Sequence, residues 1–452
     1  MSAPAVTGPA AKPAPATPTP PGRFTELNEL ARTTPGVLTI LAVALVLVSA
    51  LVGVVTAIGV QTRATALDDL TTSSGPLSVA AQDIYRSLSD ADATATGAFL
   101  AGGEEPADQR ARYENDIAQA ESALAIAVAA REPADVTAKD SPLATLSAKL
   151  SVYTGLVETA RANNHQGLPV GAAYQREASN LMRTELLPAA EQLYRAETAQ
   201  VAADQDSAGG FPWLEVIAGL VGLGVLVVAQ VFVRRRTNRV FNVGLLVATG
   251  AALVSLVWVF IAVLGVQTNV DQSRETGSQD ADQLAQARIA TLTARSDETL
   301  TLVARGSGAA FEEDYGKVAD RLGGKNDDGG LLADAVDGAI DDEVRGHVEA
   351  AQKAWGEWRS VHEQIRGEDD NGNYARAVDL TIGPDENGAA ARFDQVDSGL
   401  QEAFALTQQR FTDEIAQASN AVTGTVLGVV VLAVLMAAGA VVGIWQRLKE
   451  YR

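Results

Sequence analysis

The stretch Gly367-Glu368-Asp369-Asp370-Asn371-Gly372 is where this sequence comes nearest to a set of ligands for a cation. A calcium loop needs an oxygen donor at its first position and a bidentate glutamate at its twelfth. Here those positions are Gly367 and Val378, so the stretch reads as a turn. The histidines, His165, His347 and His362, form no His-x-x-x-His pair and read as residues on the surface or flank of a helical bundle. Trp355 and Trp358 could anchor a partner, because tryptophan is enriched at binding hot spots. They share a helical stripe with Val344, Ala351 and Ile365, however, and read as core. There is no cysteine, which excludes disulfides and thiolate metal sites alike. No Gly-x-Ser-x-Gly, P-loop or kinase signature occurs. The reading is a protein with no catalytic residue, no metal site and no cofactor, and hence not an enzyme. What remains for recognition is loops: Gly102 and Gly103, Asn163 and Asn164, Asp327 and Asp328, and Asp369 and Asp370 mark turn-rich segments suited to docking a partner protein.

The elements that carry those loops follow from hydropathy. Charged residues make up 20% of the chain, yet four long blocks have almost none. Each can cross a hydrocarbon core of ~30 Å, which takes ~20 residues of helix. They divide the chain into a Pro/Ala/Thr-rich tail (1–36), spans at 37–61, 211–233, 240–266 and 422–445, long segments at 62–210 and 267–421, an Arg-rich loop at 234–239 and a short tail at 446–452. The first block is longer than a signal-peptide apolar run and follows a Pro-rich stretch, so it is read as a retained anchor.

Basic residues favour the cytoplasmic flanks of spans. Arg234, Arg235, Arg236 and Arg239 lie between the second and third spans, and both tails are basic. The long segments are acidic, with 11 basic against 21 acidic residues in the first and 14 against 31 in the second. The expected topology is a multi-pass plasma-membrane protein with both termini in the cytoplasm and both long segments outside. Such segments repel nucleic acid, so no nucleic-acid partner is expected; the arginines meet the anionic inner leaflet of membrane lipid.

The two halves resemble each other. Gly59-Val60-Gln61-Thr62 leaves the first span and Gly265-Val266-Gln267-Thr268 leaves the third; Glu197-Thr198-Ala199-Gln200 and Glu414-Ile415-Ala416-Gln417 precede the second and fourth. A duplicated span–bundle–span unit accounts for this. Within each long segment the apolar period is helical. Leu67, Leu70, Leu77, Ile84, Leu88 and Ala91 form one stripe, interrupted at Gly75-Pro76; Tyr113 to Ala127, Leu143 to Val157, and a helix interrupted at Pro188 supply three more. In the second half the stripes are Ala285 to Val303, a long one from Val336 and Ile340 to Ile365, and Phe393 to Phe411. The fold class is therefore all-α, with four transmembrane helices and two tandem helical-bundle domains.

The spans carry no ionisable side chain at mid-membrane, which argues against a transporter. They carry small residues instead: Gly424 with Gly428, Gly439 with Gly443, and Gly219, Gly222 and Gly224. Such residues let helices approach closely, within one chain or across a homodimer.

In this layout the chain resembles the GlnX type of actinobacterial membrane sensor, and each long segment resembles the four-helix bundle sensor domain of chemoreceptors and histidine kinases. The resemblance implies a transmembrane signal relay whose partners are an extracytoplasmic aspartate/glutamate-binding lipoprotein and a cytosolic serine/threonine kinase of the protein kinase G type. It carries over no individual functional residue. Two other functions fit the same features: a membrane scaffold for envelope or division machinery, and a direct small-molecule chemoreceptor without its own output domain.

Overall fold

The computed structural model describes residues 34–102, 105–138, 141–237, 242–325 and 329–449, and among them every regular element is helical. Four helices are long and apolar enough to cross a membrane, so the chain is an all-α membrane protein. The first half runs α1 (Thr34–Thr72), α2 (Ser74–Ala101), α3 (Ala107–Ala129), the short α4 (Pro133–Thr137), α5 (Pro142–His165), α6 (Val170–Leu181) and α7 (Leu187–Gly209), then α8 (Trp213–Thr237). The second half runs α9 (Val243–Ser273), α10 (Gln279–Val303), α11 (Ala309–Gly323), α12 (Gly330–Gly338), α13 (Asp342–Asp370), α14 (Tyr374–Ile382), α15 (Ala389–Val422) and α16 (Thr425–Lys449).

Local chemistry explains most of the boundaries. Pro76 has no backbone N–H to give, and the helix breaks between Thr72 and Ser74. Gly102, at φ +69°, takes the left-handed conformation that ends α2. Pro188 loosens its helix in the same way, and a π turn at Met182–Leu186 separates α6 from α7. A second π turn, Arg274–Ser278, separates α9 from α10. One boundary differs from expectation. Val336 and Ile340 do not extend the stripe of the long helix: α12 stops at Gly338 and Ile340 is exposed. Asp341 then caps α13 by accepting hydrogen bonds from the N–H groups of Glu343 and Val344, at 2.7 and 3.1 Å.

The chain divides into two compact units. The polar body comprises Ile58–Pro212 and Val259–Val426 and so contains both long segments. Expected as bundles in tandem, the two segments share one body, because α2 packs against α10 as well as against α3 and α7. The cores interlock. Leu100 of α2 belongs to the core of the second half around Trp355, Trp358 and Leu400, and Ala285 of α10 to that of the first half around Ile84, Tyr153 and Met182. Trp355 and Trp358 are fully buried, edge to face, with ring centroids 5.2 Å apart.

The apolar body takes in the start of α1, Trp213–Trp258 and the chain from Leu427 onward. Leu45, Leu226, Leu245, Ala248, Met436 and Ile444 form its core. Leu47, Leu214, Val228 and Leu427 point outward, each at least 65% exposed, as a lipid-facing surface requires. The small residues are used within the chain. A Cβ on Gly244 would lie 2.4 Å from the backbone nitrogen of Gly443, and one on Gly439 would lie 2.7 Å from the Gly244 carbonyl oxygen. Asn242 Nδ2 donates to the Gly443 carbonyl at 2.9 Å. Gln230 is a polar side chain within the second span that sequence reading passed over, and its amide donates to Thr249 Oγ1 at 2.6 Å. Gly424 does not pair with Gly428 on a helix face, because at φ +78° it breaks the chain between α15 and α16. Substituting Gly244→Ala should therefore separate α9 from α16 and lower the midpoint of detergent-induced unfolding, a stability loss of ~1–3 kcal/mol, the usual cost of overpacking. An unchanged midpoint would show that the two backbones do not meet there.

Candidate functional site: a buried ionic layer between the halves

Helices α2 and α10 carry more charge than helices buried to this extent usually do. On α2, Asp90 and Asp92 are buried; on α10, Arg288, Arg295, Ser296, Asp297 and Glu298 are all buried. A solitary four-helix bundle would turn such residues to water. Here each helix covers the other, and the charges must find partners inside the protein.

Asp92 joins the halves. Its carboxylate accepts hydrogen bonds from Tyr153 Oη at 3.3 Å and Ser179 Oγ at 2.9 Å, both of the first half, and from Ser296 Oγ of α10 at 3.1 Å. Burial raises its pKa, while the bonds from Ser179 and Ser296 hold it down. Asp297 reaches the opposite way, to Arg183 of the first half, whose guanidinium also lies over the Phe311 ring. Burial pushes Asp297 up to about 7 against the pull of Arg183. Arg112 ties the halves a third time, pairing with Asp90 at 3.1 Å and Asp394 at 3.3 Å. Near it, burial and the neighbouring Asp90 push Asp116 up to about 7.

Glu298 centres a second cluster within the second half. It accepts from Arg295 Nη1 at 2.8 Å, Trp358 Nε1 at 3.0 Å and His362 Nδ1 at 3.0 Å. The other ring nitrogen of His362 donates to Glu312 at 3.2 Å, and the ring stacks on Tyr315 at 3.7 Å. With a carboxylate at each nitrogen, the ring is an imidazolium. Burial opposes that charge, but the bonds to Glu298 and Glu312 win and raise its pKa to about 9. For Glu298 the cost of burial is likewise outweighed, by His362 first and Arg295 next, and its pKa is lowered. His362 is thus an enclosed member of an ionic cluster and not a flank residue. Arg288 pairs with Asp397 through two bonds, at 2.6 and 3.0 Å, and both lie close enough to Asp90 to act on its charge.

What such a layer can do is hold two helical halves in one register and change its charge with protonation or with a shift of either half.

The loops singled out for docking fall in separate places. Asn164 Nδ2 donates to the Phe99 carbonyl at 3.0 Å, so Gly102 and the Asn163–Asn164 end of α5 come together at one end of the first half. Glu105 and Arg161 pair there at 2.5 Å beside a pocket of about 240 Å³ that His165 also lines. Asp369 and Asp370 are both held by Arg366, at 2.7 and 3.2 Å, and Gly372 at φ +78° turns the chain after α13. That is a helix end and not a calcium loop. Arg234 and Arg235 are exposed near the end of α8, which also contains Arg236. Gly103, Asp327, Asp328, Arg239 and residues 1–33 of the Pro/Ala/Thr-rich tail lie outside the described residues, while 34–36 open α1.

Sequence reading missed the buried charges altogether. The one available signal was density: Ser89-Asp90-Ala91-Asp92 and Arg295-Ser296-Asp297-Glu298 set polar residues on nearly every face of helices whose stripes are otherwise apolar. No curated protein and no solved structure gives a match to this chain. Residues 66–206, which run from the end of α1 through α7, match a family model described as an actinobacterial sensor domain, and this part of the polar body is therefore similar to a domain whose role is sensing.

Proposed function

We propose that the chain is a non-enzymatic transmembrane sensor: its polar body faces the outside, receives a state of that compartment, and passes it to a cytosolic partner. The observation that carries this reading is α1. One unbroken helix, Thr34–Thr72, contains both the first apolar run and Leu67 and Leu70, which lie in the core of the polar body with Val201, Val270 and Ile415. A helix transmits displacement along its axis, and shifts of ~1–2 Å between packed helices are an established signalling element. The match to a sensor domain over residues 66–206 supports the same role. On this reading the input is a liganded solute-binding lipoprotein, and the output is a serine/threonine kinase held by the basic cytoplasmic segment at Arg234 and Arg235.

Because the chain has no cysteine, single cysteines can report its topology. Cysteines replacing the exposed Ser151 and Ser398 should react with a membrane-impermeant maleimide on intact cells, and one replacing Arg235 should not. Photo-crosslinkers at the same positions should trap a lipoprotein at the first two and a kinase at the third. Shielding of either serine position overturns the topology, and trapping of neither partner overturns the relay.

A further inference from the structure

The polar body holds a half-open cavity of about 1100 Å³ between its halves, whose lining includes none of the buried charges of the ionic layer. Ligand pockets of ~300–1000 Å³ serve drug-sized organic molecules, so this one is larger than a free amino acid needs. Its lining combines three features. Phe404 and Phe411 give it aromatic surface. Gln82 and Tyr85, 5% and 9% exposed, line it with side chains that have no hydrogen-bond partner among the described residues. Their polar atoms open into the cavity instead of being sealed in the protein, so a ligand there can take the hydrogen bonds that water otherwise fills. The third feature is charge. Asp282 accepts from Tyr194 Oη at 2.9 Å and Gln286 Nε2 at 2.7 Å but faces no cation, and the exposed Arg321 has no acidic partner among the described residues. The other charged side chains of the lining are paired, Arg195 with Glu191 and Arg274 with Asp206.

An unpaired acid and an unpaired base in one cavity fit a zwitterion, and the amide and phenol between them fit peptide groups, each of which both donates and accepts. We propose that this cavity binds a short zwitterionic peptide, its ammonium toward Asp282, its carboxylate toward Arg321, its amides on Gln82 and Tyr85 and an apolar side chain on Phe404 and Phe411. The inference rests on the sensing role and names a ligand class for it, but binding itself requires neither the lipoprotein nor the kinase.

The test uses the purified full-length chain in detergent, with three probes: a pool of free Gly-Xaa-Gly tripeptides, the same pool N-acetylated and C-amidated, and the free amino acids. Free tripeptides should raise the melting temperature saturably, because a ligand of the folded state stabilises it by mass action. Blocked peptides should bind at least about tenfold more weakly, since a site built for charged groups discriminates against their absence. Gln82→Leu should cost about the same factor. Should Gln82→Leu melt early without ligand, Arg321→Gln at an exposed position replaces it and should weaken the free tripeptides alone. The proposal falls if no free tripeptide stabilises the chain, if blocked peptides or amino acids bind as well, or if neither variant changes affinity. Failure here leaves the topology and crosslinking outcomes untouched, so the two readings are separable.

Discussion

Replacing Glu298 with alanine is expected to destabilise the polar body by ~3–5 kcal/mol, the usual cost of removing one partner of a buried ion pair. Three donors lose their acceptor at once: the Arg295 guanidinium, the Trp358 indole N–H and the His362 imidazolium. None can turn to water, for Trp358 is wholly buried and His362 is 5% exposed. In a body of this size the loss corresponds to a fall of ~10 °C in melting temperature. Glu313, 73% exposed on the neighbouring α11, provides the control; Glu313→Ala should change stability by less than ~0.5 kcal/mol. The double variant Glu298→Gln with His362→Gln should lose less than the sum of its two single changes, because it removes the charge and its counter-charge together. Strict additivity would show that the cluster does not act as a unit.

The second large effect is a fall in stability on the alkaline side. His362 stands at about 9 in the folded protein, above its ordinary 6.5. Its contribution is complete below about pH 6.5 and vanishes as pH rises through about 9, and a shift of this size is worth on the order of 3 kcal/mol. Asp116 and Asp297 act in the same direction at lower pH. Each stands at about 7 against an ordinary 3.8, so the folded state keeps protons that the unfolded chain releases, and stability declines between about pH 4 and 7. Glu298, lowered from its ordinary value, has the opposite sign, but its stabilisation is lost only below about pH 4.5. The melting temperature of the full chain should therefore be clearly higher near pH 5.5 than near pH 9. His362→Gln should flatten the upper limb and Asp297→Asn the lower. A melting temperature that stays level from pH 5.5 to 9 in the parent chain would overturn the assignment of an imidazolium to position 362.

Where the sequence was informative, it was so for local reasons. Gly102 ends a helix because it can adopt a positive φ, Pro142 opens one because its missing N–H is not needed in the first turn, and the apolar period keeps Leu143, Leu146, Leu150, Tyr153 and Val157 on one buried face. Each of these depends on a residue and its near neighbours. The break at Asp341 was equally local, but the apolar residues Val336 and Ile340 hid it by continuing the helical spacing across Gly338. Of the candidate docking residues, Gly102 was legible as a chain turn, whereas Asn163, Asn164, Asp369 and Asp370 are among the last helical residues of α5 and α13. What they contact was not legible, because Arg161 and Glu105, or Arg366 and Asp369, meet only after helices are placed side by side or a helix end is formed.

By itself, then, the sequence determined that the chain is helical, that four segments are apolar enough to enter a membrane, and that each long segment folds around a helical stripe. Hydropathy and period are properties of consecutive residues, and no tertiary contact is needed to read them. Only the tertiary structure decided that the two long segments share one body, and with it that Asp92, Asp297 and Glu298 are buried and paired. The physical reason is that an aspartate on the outer face of a helix has the same sequence signature whether water or another helix covers it. The packing of α2 against α10 removes the water, and that contact is encoded by surfaces about 200 residues apart in the chain, such as Asp92 and Ser296 at a separation of 204.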